Sequence, residues 1–295
     1  MAPRLIPLAL TWWCVMSRLV STVTSFSTTE SRVALVTGAN KGIGREIAKR
    51  LAEANIQTIL ACRTDGKKTA LEIEGSHDIY LDLTDEASIE KCRDFVEHKF
   101  GKLDILVNNA AICFNDPTLY GKVEHTPFER QADISIKTNY FGTRKVTEAM
   151  MPLLQKSTSP RIINIASSAG RLGILRSQEK LDMFTDPNLT VELLDSYMNA
   201  FVKAVEEGKH EEWAGTCYGM SKLGIIALSK TLAQDLTDFQ INSVDPGYCA
   251  TDQNNNQGTR SAERGAVTPF LLATTAEKFS GSHWFDEQVI PWSYS

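Results

Sequence analysis

The sequence predicts an α/β fold built around a doubly wound parallel sheet, and three observations support this prediction. From residue 32 onward, short apolar runs alternate with stretches of helical periodicity. Runs such as Ile105-Leu106-Val107 are apolar without interruption, as expected for strands that are buried on both faces. The first run, at 33–36, leads through a glycine-rich turn into a helical stretch. We therefore expect a single Rossmann-type domain over residues 32–295.

The predicted elements follow in order along the chain. Strands are expected at Val33–Thr37, Gln57–Cys62, Asp78–Leu81, Ile105–Val107, Arg161–Ile165 and Ile241–Val244, with a seventh near Trp284. Helices are expected at about Gly44–Ala54, Ala87–Phe100, Phe128–Leu154, Thr216–Leu236 and Ala262–Thr274.

A helical insertion is predicted at about 172–213, because far fewer residues would connect the strand ending at Ile165 to the helix beginning near Thr216. Apolar side chains from 189 to 205 recur at helical spacing, which predicts an amphipathic helix with one face to bury. Two interpretations stay open: the insertion only packs against the domain, or it caps a substrate pocket.

Composition limits the classes of function to consider. With 42% hydrophobic and 23% charged residues, the chain has the composition of an ordinary globular protein. A net charge of -5 without a lysine-rich run argues against nucleic acid as a partner and favours a small molecule. The six cysteines form no Cys-x-x-Cys pair and no His-rich spacing, so we expect neither a metal site nor a disulfide framework.

Residues 1–31 differ from the rest of the chain. Arg4 precedes an uncharged apolar run at 5–16, and a stretch rich in serine and threonine follows, with no acidic residue before Glu30. The run is shorter than the roughly 20 residues that a membrane-spanning helix needs. The segment therefore resembles a secretory or organellar targeting sequence, and without one a cytoplasmic location is expected. A surface anchor or a tail is the alternative, and membrane contact is expected only through residues 1–25.

A glycine-rich turn at 37–44 indicates a dinucleotide site. Its glycines permit a tight turn and the close approach of a pyrophosphate to the N terminus of the next helix, where the helix dipole favours negative charge. Ligands of such folds bind at the carboxyl ends of the strands. There we expect Asp82 and Leu83 near the adenine, with Asn109 and Ala110 beside the ribose.

The end of the second predicted strand indicates which form of the cofactor binds. Sites that prefer NAD commonly place an acidic residue there to bind the ribose 2′-hydroxyl, whereas this chain has Ala61-Cys62-Arg63. Arg63 and Lys41 instead offer two cations to a 2′-phosphate. The sequence therefore predicts NADP(H).

A phenol and an ammonium lie one helical turn apart in Tyr218-Gly219-Met220-Ser221-Lys222. A nearby ammonium lowers the pKa of a tyrosine from its usual value of about 10, which makes the phenol a better acid near neutral pH. Because Tyr-x-x-x-Lys is frequent by chance, its weight comes from the glycine turn in the same chain. Together the two motifs indicate a nicotinamide-dependent oxidoreductase.

These motifs, in this order, resemble the short-chain dehydrogenase/reductase family in its classical form over almost all of residues 32–295. The resemblance rests on the turn at 37–44, Asn108-Asn109-Ala110, Asn139 within Lys137–Gly142, Asn164-Ile165-Ala166-Ser167, Tyr218 to Lys222, and Asp245-Pro246-Gly247. The insertion and the sequences at 39–44 and 140–143 are similar to those of the monomeric NADPH-dependent carbonyl reductases. They are also similar to those of plant menthone and salutaridine reductases.

The resemblance implies roles for individual residues. Tyr218 would protonate the carbonyl oxygen during reduction, and Lys222 would lower the pKa of that phenol and bind the nicotinamide ribose. Ser167, with Ser168 as the alternative, would hydrogen-bond the substrate oxygen, and Asn139 would hold a water in a proton relay. The expected substrate contacts are Ser167, Tyr218 and Tyr248. The expected cofactor contacts are Gly38, Asn40, Lys41, Gly42, Ile43, Gly44, Arg63, Asp82, Leu83, Asn109, Ala110, Tyr218, Lys222, Pro246, Gly247 and Thr251.

The resemblance implies NADPH-dependent reduction of an aldehyde, ketone or quinone. It also implies a monomer, because the insertion of the related reductases packs where other members dimerise. An alternative function stays open, that of an NADP-dependent dehydrogenase of a specific terpenoid-like or steroid-like secondary alcohol. So does a nicotinamide-binding sensor without turnover, although such proteins typically lose the tyrosine or the lysine. The chain departs from the family between Arg63 and Asp82, where a shorter stretch predicts a loop in place of the usual helix.

Overall fold

One mostly parallel sheet forms the centre of the fold in the computed structural model, which describes residues 31–114 and 126–292. Its strands are β1 (Val33–Thr37), β2 (Gln57–Cys62), β3 (Ser76–Tyr80), β4 (Ile105–Asn108), β5 (Arg161–Ile165), β6 (Gln240–Asp245), β7 (His283–Phe285) and β8 (Gln288–Ile290). Their order across the sheet is β3-β2-β1-β4-β5-β6-β7-β8, and β8 pairs antiparallel with β7. The predicted doubly wound α/β fold is confirmed, and so is the strand near Trp284.

Helices cover both faces of the sheet. They are α1 (Gly42–Glu53), α2 (Gly66–Glu72), α3 (Glu86–Phe100), α4 (Phe128–Ser135), α5 (Thr143–Leu154), α6 (Gln178–Thr185), α7 (Val191–Glu206), α8 (Cys217–Asp235), α9 (Ala262–Gly265) and α10 (Val267–Thr274). A π-helix spans Ile136–Gly142, and short 3₁₀-helices span Ser168–Gly170, Leu172–Ile174 and Asp252–Asn254.

Alternate residues of β1 face two different cores. Val36 packs in a cluster with Ile47 of α1 on one face, while Leu35 packs with Val96 of α3 on the other. All five residues of β1 are buried, which explains why its sequence is apolar as far as Val36. Because helices cover both faces, a ligand can approach this sheet only at the edges where the strands end.

Two stretches that were each predicted as one continuous helix are divided in the structure. The stretch predicted as one helix from Phe128 to Leu154 is divided into α4, the π-helix and α5, and the stretch from Ala262 to Thr274 is divided into α9 and α10. A π-helix adds a residue to a helical turn without changing the apolar spacing enough to be seen in a sequence. This irregularity lies at Asn139, one of the predicted catalytic residues.

The loop predicted between Arg63 and Asp82 is also wrong, because α2 forms there. Asp65 precedes α2 with a φ of 54°, a left-handed conformation that aspartate tolerates better than most residues. The Thr69 hydroxyl donates to the Asn40 carbonyl at 3.0 Å. The short helix therefore packs onto the glycine turn.

The insertion contains two helices, α6 and α7, and confirms the predicted amphipathic helix. Leu194, Met198 and Phe201 on one face of α7 are buried in a cluster with residues of α8. The Tyr140 hydroxyl of the π-helix donates to the Asp195 carboxylate of α7 at 2.8 Å. This bond joins the insertion directly to the irregular helix.

The described ranges contain no helix that is long and apolar enough to cross a membrane. The predicted targeting segment at 1–31 lies outside the described residues, apart from Ser31. Its role in localisation stays a prediction.

We predict that Gly142→Ala destabilises the fold by about 1 to 3 kcal/mol, because overpacking in a well-packed interior costs about this much. A Cβ atom at Gly142 would lie 2.7 Å from both the Cβ and the carbonyl oxygen of Leu83. Urea denaturation followed by circular dichroism measures the free energy of unfolding. Gly66→Ala is the matched control, because its added Cβ would meet nothing closer than the Cys62 Cβ at 3.3 Å. Equal unfolding free energies for the two variants would contradict the prediction.

Candidate active site

A continuous cleft with two lobes opens at the carboxyl ends of the strands. The glycine-turn lobe lies over the ends of β1 to β4, and the tyrosine lobe lies between the ends of β5 and β6 and the start of α8. Ile43, Asn109, Ala111, Thr251 and Gln253 line both lobes and join them. No residue of 172–213 is among the residues that line either lobe in the described structure, which favours the packing interpretation of the insertion.

The cleft brings most of the sequence-predicted site residues together. The glycine-turn lobe is lined by Gly38, Asn40, Lys41, Gly42, Ile43, Arg63, Asp82, Leu83, Asn109, Ala110 and Thr251. The tyrosine lobe is lined by Ser167, Ser168, Tyr218, Lys222, Pro246, Gly247 and Tyr248. Gly44 and Asn139 are not among the lining residues and act from behind the surface of the cleft.

The glycine turn needs its glycines for two separate reasons. Gly38 and Gly42 have φ values of 64° and 56°, which most side chains disfavour. A side chain on Gly44 would overlap the Asn109 amide and the Gly38 carbonyl oxygen. The turn leads into α1, and its lining residues leave room for a pyrophosphate beside the N terminus of that helix.

Asn109 holds the turn in place, a role that the sequence analysis did not foresee. Its side-chain amide donates to the carbonyl oxygens of Thr37 and Gly38, at 2.9 Å and 3.2 Å. The Thr37 hydroxyl accepts in return from the backbone N–H groups of Asn109 and Ala110, both at 3.0 Å. The end of β4 is therefore tied to the end of β1 at the floor of the cleft.

The two cations predicted to bind a 2′-phosphate both lie at the glycine-turn lobe. Lys41 forms an ion pair with Asp252 at 3.0 Å, and Arg63 lies 3.8 Å from Asp82. The side chains of both cations are more than half exposed, so solvent screens these pairs. They are therefore free to exchange an acidic partner for a phosphate that enters the lobe.

The Lys222 ammonium is buried at the floor of the tyrosine lobe. Its side chain is almost inaccessible to solvent, and its Nζ donates to the Ile165 carbonyl oxygen at 2.7 Å. The Nζ lies 5.6 Å from the centre of the half-buried Tyr218 ring. Burial lowers the pKa of Lys222 to about 8, and the nearby Cys113 and Asp245 oppose this effect.

Backbone contacts fix the position of the helix that carries this pair. A Cβ atom at Gly170 would lie 2.5 Å from the carbonyl carbon of Lys222 and 2.6 Å from the nitrogen of Leu223. The Thr216 hydroxyl caps α8 by accepting from the Gly219 N–H at 3.1 Å. The 3₁₀-helix that ends at Gly170 thus packs directly against the backbone of α8.

The two candidate serines have different surroundings. Ser167 is half-buried, and its hydroxyl accepts from the Ala169 N–H at 3.2 Å, which leaves the hydroxyl proton for another acceptor. Ser168 is exposed, and both its backbone and its side chain hydrogen-bond the Asp245 carboxyl group. These contacts favour Ser167 as the donor to a ligand in the cleft.

Asn139 connects the π-helix to two other parts of the site. Its side-chain oxygen accepts from the Ile112 N–H at 2.8 Å, and its nitrogen donates to the Ile112 carbonyl at 2.9 Å and to the Ser221 hydroxyl at 3.0 Å. The side chain is therefore occupied by the segment after β4 and by α8. That Asn139 holds a water in a proton relay stays a prediction.

Several residues that line the tyrosine lobe received no role from the sequence, among them Cys113, Asp245 and Gln253. Asp245 stands in a quoted motif, Asp245-Pro246-Gly247, and an acidic residue at the end of a buried strand was the signal that could have identified it. Cys113 lies in an irregular segment and Gln253 in a 3₁₀-helix of three residues, so the sequence offers no periodicity to place them. The described part of the chain contains no cluster of side chains suited to hold a metal ion.

Comparisons with known proteins agree with this site. The family model described as short chain dehydrogenase matches residues 32–178. The chain is 36% identical over 291 residues to (+)-neomenthol dehydrogenase of Capsicum annuum. The alignment covers 83% of this chain and 92% of that protein. The chain belongs to the short-chain dehydrogenase family. The predicted resemblance is confirmed, and the protein is an oxidoreductase.

This short-chain dehydrogenase is also similar to reductases. It is 34% identical to Carbonyl reductase [NADPH] 1 of Bos taurus, over 88% of this chain and 98% of that protein. Its fold matches that of salutaridine reductase from Papaver somniferum with a TM-score of 0.78 and 33% identity, over 87% of this chain and all of the other. This dehydrogenase therefore belongs to the carbonyl reductase-like branch of the family.

We predict that Asn109→Ala weakens dinucleotide binding at least about tenfold, because two hydrogen bonds that hold the glycine turn are lost. Fluorescence titration of the purified dehydrogenase with NADPH measures the dissociation constant. Asn188→Ala, in the exposed segment between α6 and α7, is the control and should leave that constant unchanged. Unaltered affinity in the Asn109 variant would show that the turn holds its shape without these bonds.

Proposed function

We propose that this dehydrogenase reduces the carbonyl group of a small aldehyde, ketone or quinone to an alcohol, using NADPH. One observation carries the proposal: the cleft that begins at the glycine turn ends at Tyr218 beside the buried ammonium of Lys222. A dinucleotide lying along such a cleft has its phosphates near the turn and its nicotinamide near the phenol. The carbonyl of a substrate would then lie between the two.

The residues present fit NADP(H). Gly38 and Gly42 line the cleft without side chains, and Lys41 with Arg63 supplies positive charge beside them. No acid follows β2 directly, since Arg63 and Thr64 stand there. The name of the bovine relative, Carbonyl reductase [NADPH] 1, also supports NADP(H) as the cofactor.

NADPH supplies a hydride when it is bound. The carbonyl carbon accepts that hydride, and the carbonyl oxygen takes a proton from the Tyr218 hydroxyl, so that the alcohol forms with its charge balanced. The Lys222 ammonium stabilises the phenolate that Tyr218 becomes. The Ser167 hydroxyl donates a hydrogen bond to the substrate oxygen as negative charge grows there. Tyr248, which is 42% exposed at the mouth of the tyrosine lobe, contacts the rest of the substrate.

The reverse reaction, oxidation of a specific secondary alcohol, is a second candidate. It is favoured by the similarity to (+)-neomenthol dehydrogenase, a relative whose name specifies an alcohol substrate. The same residues would act with their proton transfers reversed, Tyr218 being the base. We propose a monomer in either case, because the insertion uses one face of α7 to pack against its own domain.

We predict that Tyr218→Phe lowers kcat at least about 100-fold, because general acid catalysis typically contributes this much or more. The measurement is the rate of NADPH oxidation with a panel containing menadione, isatin and simple aldehydes. Tyr197→Phe removes a hydroxyl from α7, outside the cleft, and serves as the control. An active Tyr218 variant would refute the proposed acid, and a wild-type protein that binds NADPH without reducing any carbonyl would favour a sensor.

We also predict that Arg63→Ala raises the KM for NADPH about tenfold and leaves the KM for NADH unchanged, because only NADPH carries the 2′-phosphate. Parallel kinetics with the two cofactors measure both values. Arg93→Ala on α3, a residue that does not line the cleft, provides the control for loss of one positive charge. A wild-type protein that turns over only with NADH would refute the assignment of Lys41 and Arg63.

A further inference from the structure

Asp245 places a buried carboxyl group in the tyrosine lobe. It is the last residue of β6, it is 6% exposed, and it lines the lobe together with Tyr218 and Lys222. Its Oδ1 accepts from the Gly247 N–H at 2.9 Å, and Ser168 hydrogen-bonds the same carboxyl group. Burial raises the pKa of Asp245, while these hydrogen bonds and the charge of Arg260 oppose the rise. A neutral amide would still accept from the Gly247 N–H, but it offers one acceptor oxygen fewer to Ser168, so the carboxylate serves both the turn and the local charge.

Lys222 reaches the same lobe from α8. Its ammonium donates to the Ile165 carbonyl, and Ile165 is paired in the sheet with Val244, the residue before Asp245. Besides Asp245 of β6, the titratable groups near this ammonium are the Tyr218 phenol and the Cys113 thiol. Burial raises the pKa of Cys113, so this thiol is neutral near pH 7.

The neighbours of Asp245 leave its charge available to Lys222. Arg260 also faces Asp245, but its guanidinium already pairs with Asp286 at 2.5 Å. Cys249 is the remaining titratable neighbour, and burial raises the pKa of that thiol too. Among the described residues, Asp245 is thus the neighbour that supplies a formal negative charge to the buried ammonium.

We propose that Asp245 is a positioning residue whose carboxylate keeps Lys222 in the charged ammonium form within the active-site cleft. The proposal rests on the proposed function, because Lys222 must be charged to stabilise the phenolate of Tyr218. A buried ammonium loses its hydration, and one carbonyl oxygen replaces only part of it. A carboxylate in the same poorly solvated lobe replaces much of the remainder.

The direction of the pH effect follows from the charges. Burial already brings the pKa of Lys222 down to about 8, and Asp245 opposes that fall. Without the carboxylate the pKa falls further, so the coupled Tyr218 and Lys222 pair loses a proton at lower pH. The alkaline limb of the kcat/KM profile for carbonyl reduction therefore moves to lower pH.

The first test is the pH profile of Asp245→Asn, which keeps the size of the side chain and the acceptor for Gly247 but removes the charge and one of the two acceptor oxygens that Ser168 can use. We expect the alkaline limb to shift down by about one pH unit, and Asp245→Glu to restore part of the shift. Asp238→Asn removes the same charge from an exposed position at the opposite end of β6 and should leave the profile unchanged. If the alkaline limb of the kcat/KM profile of Asp245→Asn coincides with that of the wild-type protein, the proposal is overturned, even if the variant is slower.

The second test needs neither substrate nor cofactor. A buried lysine of lowered pKa releases its proton on folding, so its cost to stability is greatest at low pH and disappears as pH approaches the unfolded value of about 10.4. Thermal melting of the wild-type protein and Asp245→Asn from pH 6 to 10 should therefore show a deficit for the variant that shrinks as pH rises. A deficit that is equal at every pH would reveal a purely structural role and overturn the proposal. A wild-type protein without NADPH-dependent turnover would refute the proposed function, while the melting curves still decide the role of Asp245.

Discussion

The close contact between Gly170 and the backbone of α8 is the constraint on which the rest of the active site depends. It lets the 3₁₀-helix that follows β5 lie against the backbone of α8 with no side chain between them. At that distance the Lys222 side chain can turn under the strand end and donate to the Ile165 carbonyl. Any residue larger than glycine at position 170 would push α8 away from this 3₁₀-helix and move the Lys222 ammonium away from its acceptor at the end of β5.

The remaining parts of the site come from segments that are distant in the sequence and meet because parallel strands end at one edge of the sheet. β1 and β4 are tied there by Asn109 and Thr37, and β4 and β5 are tied by the buried amides of Asn108 and Asn164 at 2.8 Å. Most polar atoms of these side chains are hydrogen-bonded, the buried Asn108 Oδ1 being an exception, which lowers the cost of placing them in an apolar interior. The cleft therefore has a rigid floor although its walls are loops.

Sequence reasoning located the parts of this protein that have a local signature. The apolar run of β1, the glycine turn and the one-turn spacing of Tyr218 and Lys222 depend on neighbouring residues, so a sequence can display them. The π-helix around Asn139 and the bonds of Asn109 to the turn depend on tertiary contacts, so no local pattern in the sequence indicates them. Asp245 had a local signal, an acid at the end of a buried strand, but its contacts with Ser168 and Lys222 come from other segments. The helix α2 was missed for a related reason, because its start relies on a left-handed Asp65 and its anchor on Thr69 reaching Asn40.

The acids opposite Lys41 and Arg63 have a consequence for selectivity. Each cation already faces a carboxylate, Asp252 or Asp82, so the charge in this part of the cleft is largely neutralised before any ligand arrives. A free inorganic anion gains little by separating these pairs, because it must compete with a tethered carboxylate using a single point of attachment. A phosphate carried on an adenosine is held by the rest of its own molecule and competes at a high effective concentration. If Lys41 and Arg63 hold the 2′-phosphate as proposed, their acidic partners would disfavour free phosphate or sulfate relative to a phosphate carried on the cofactor.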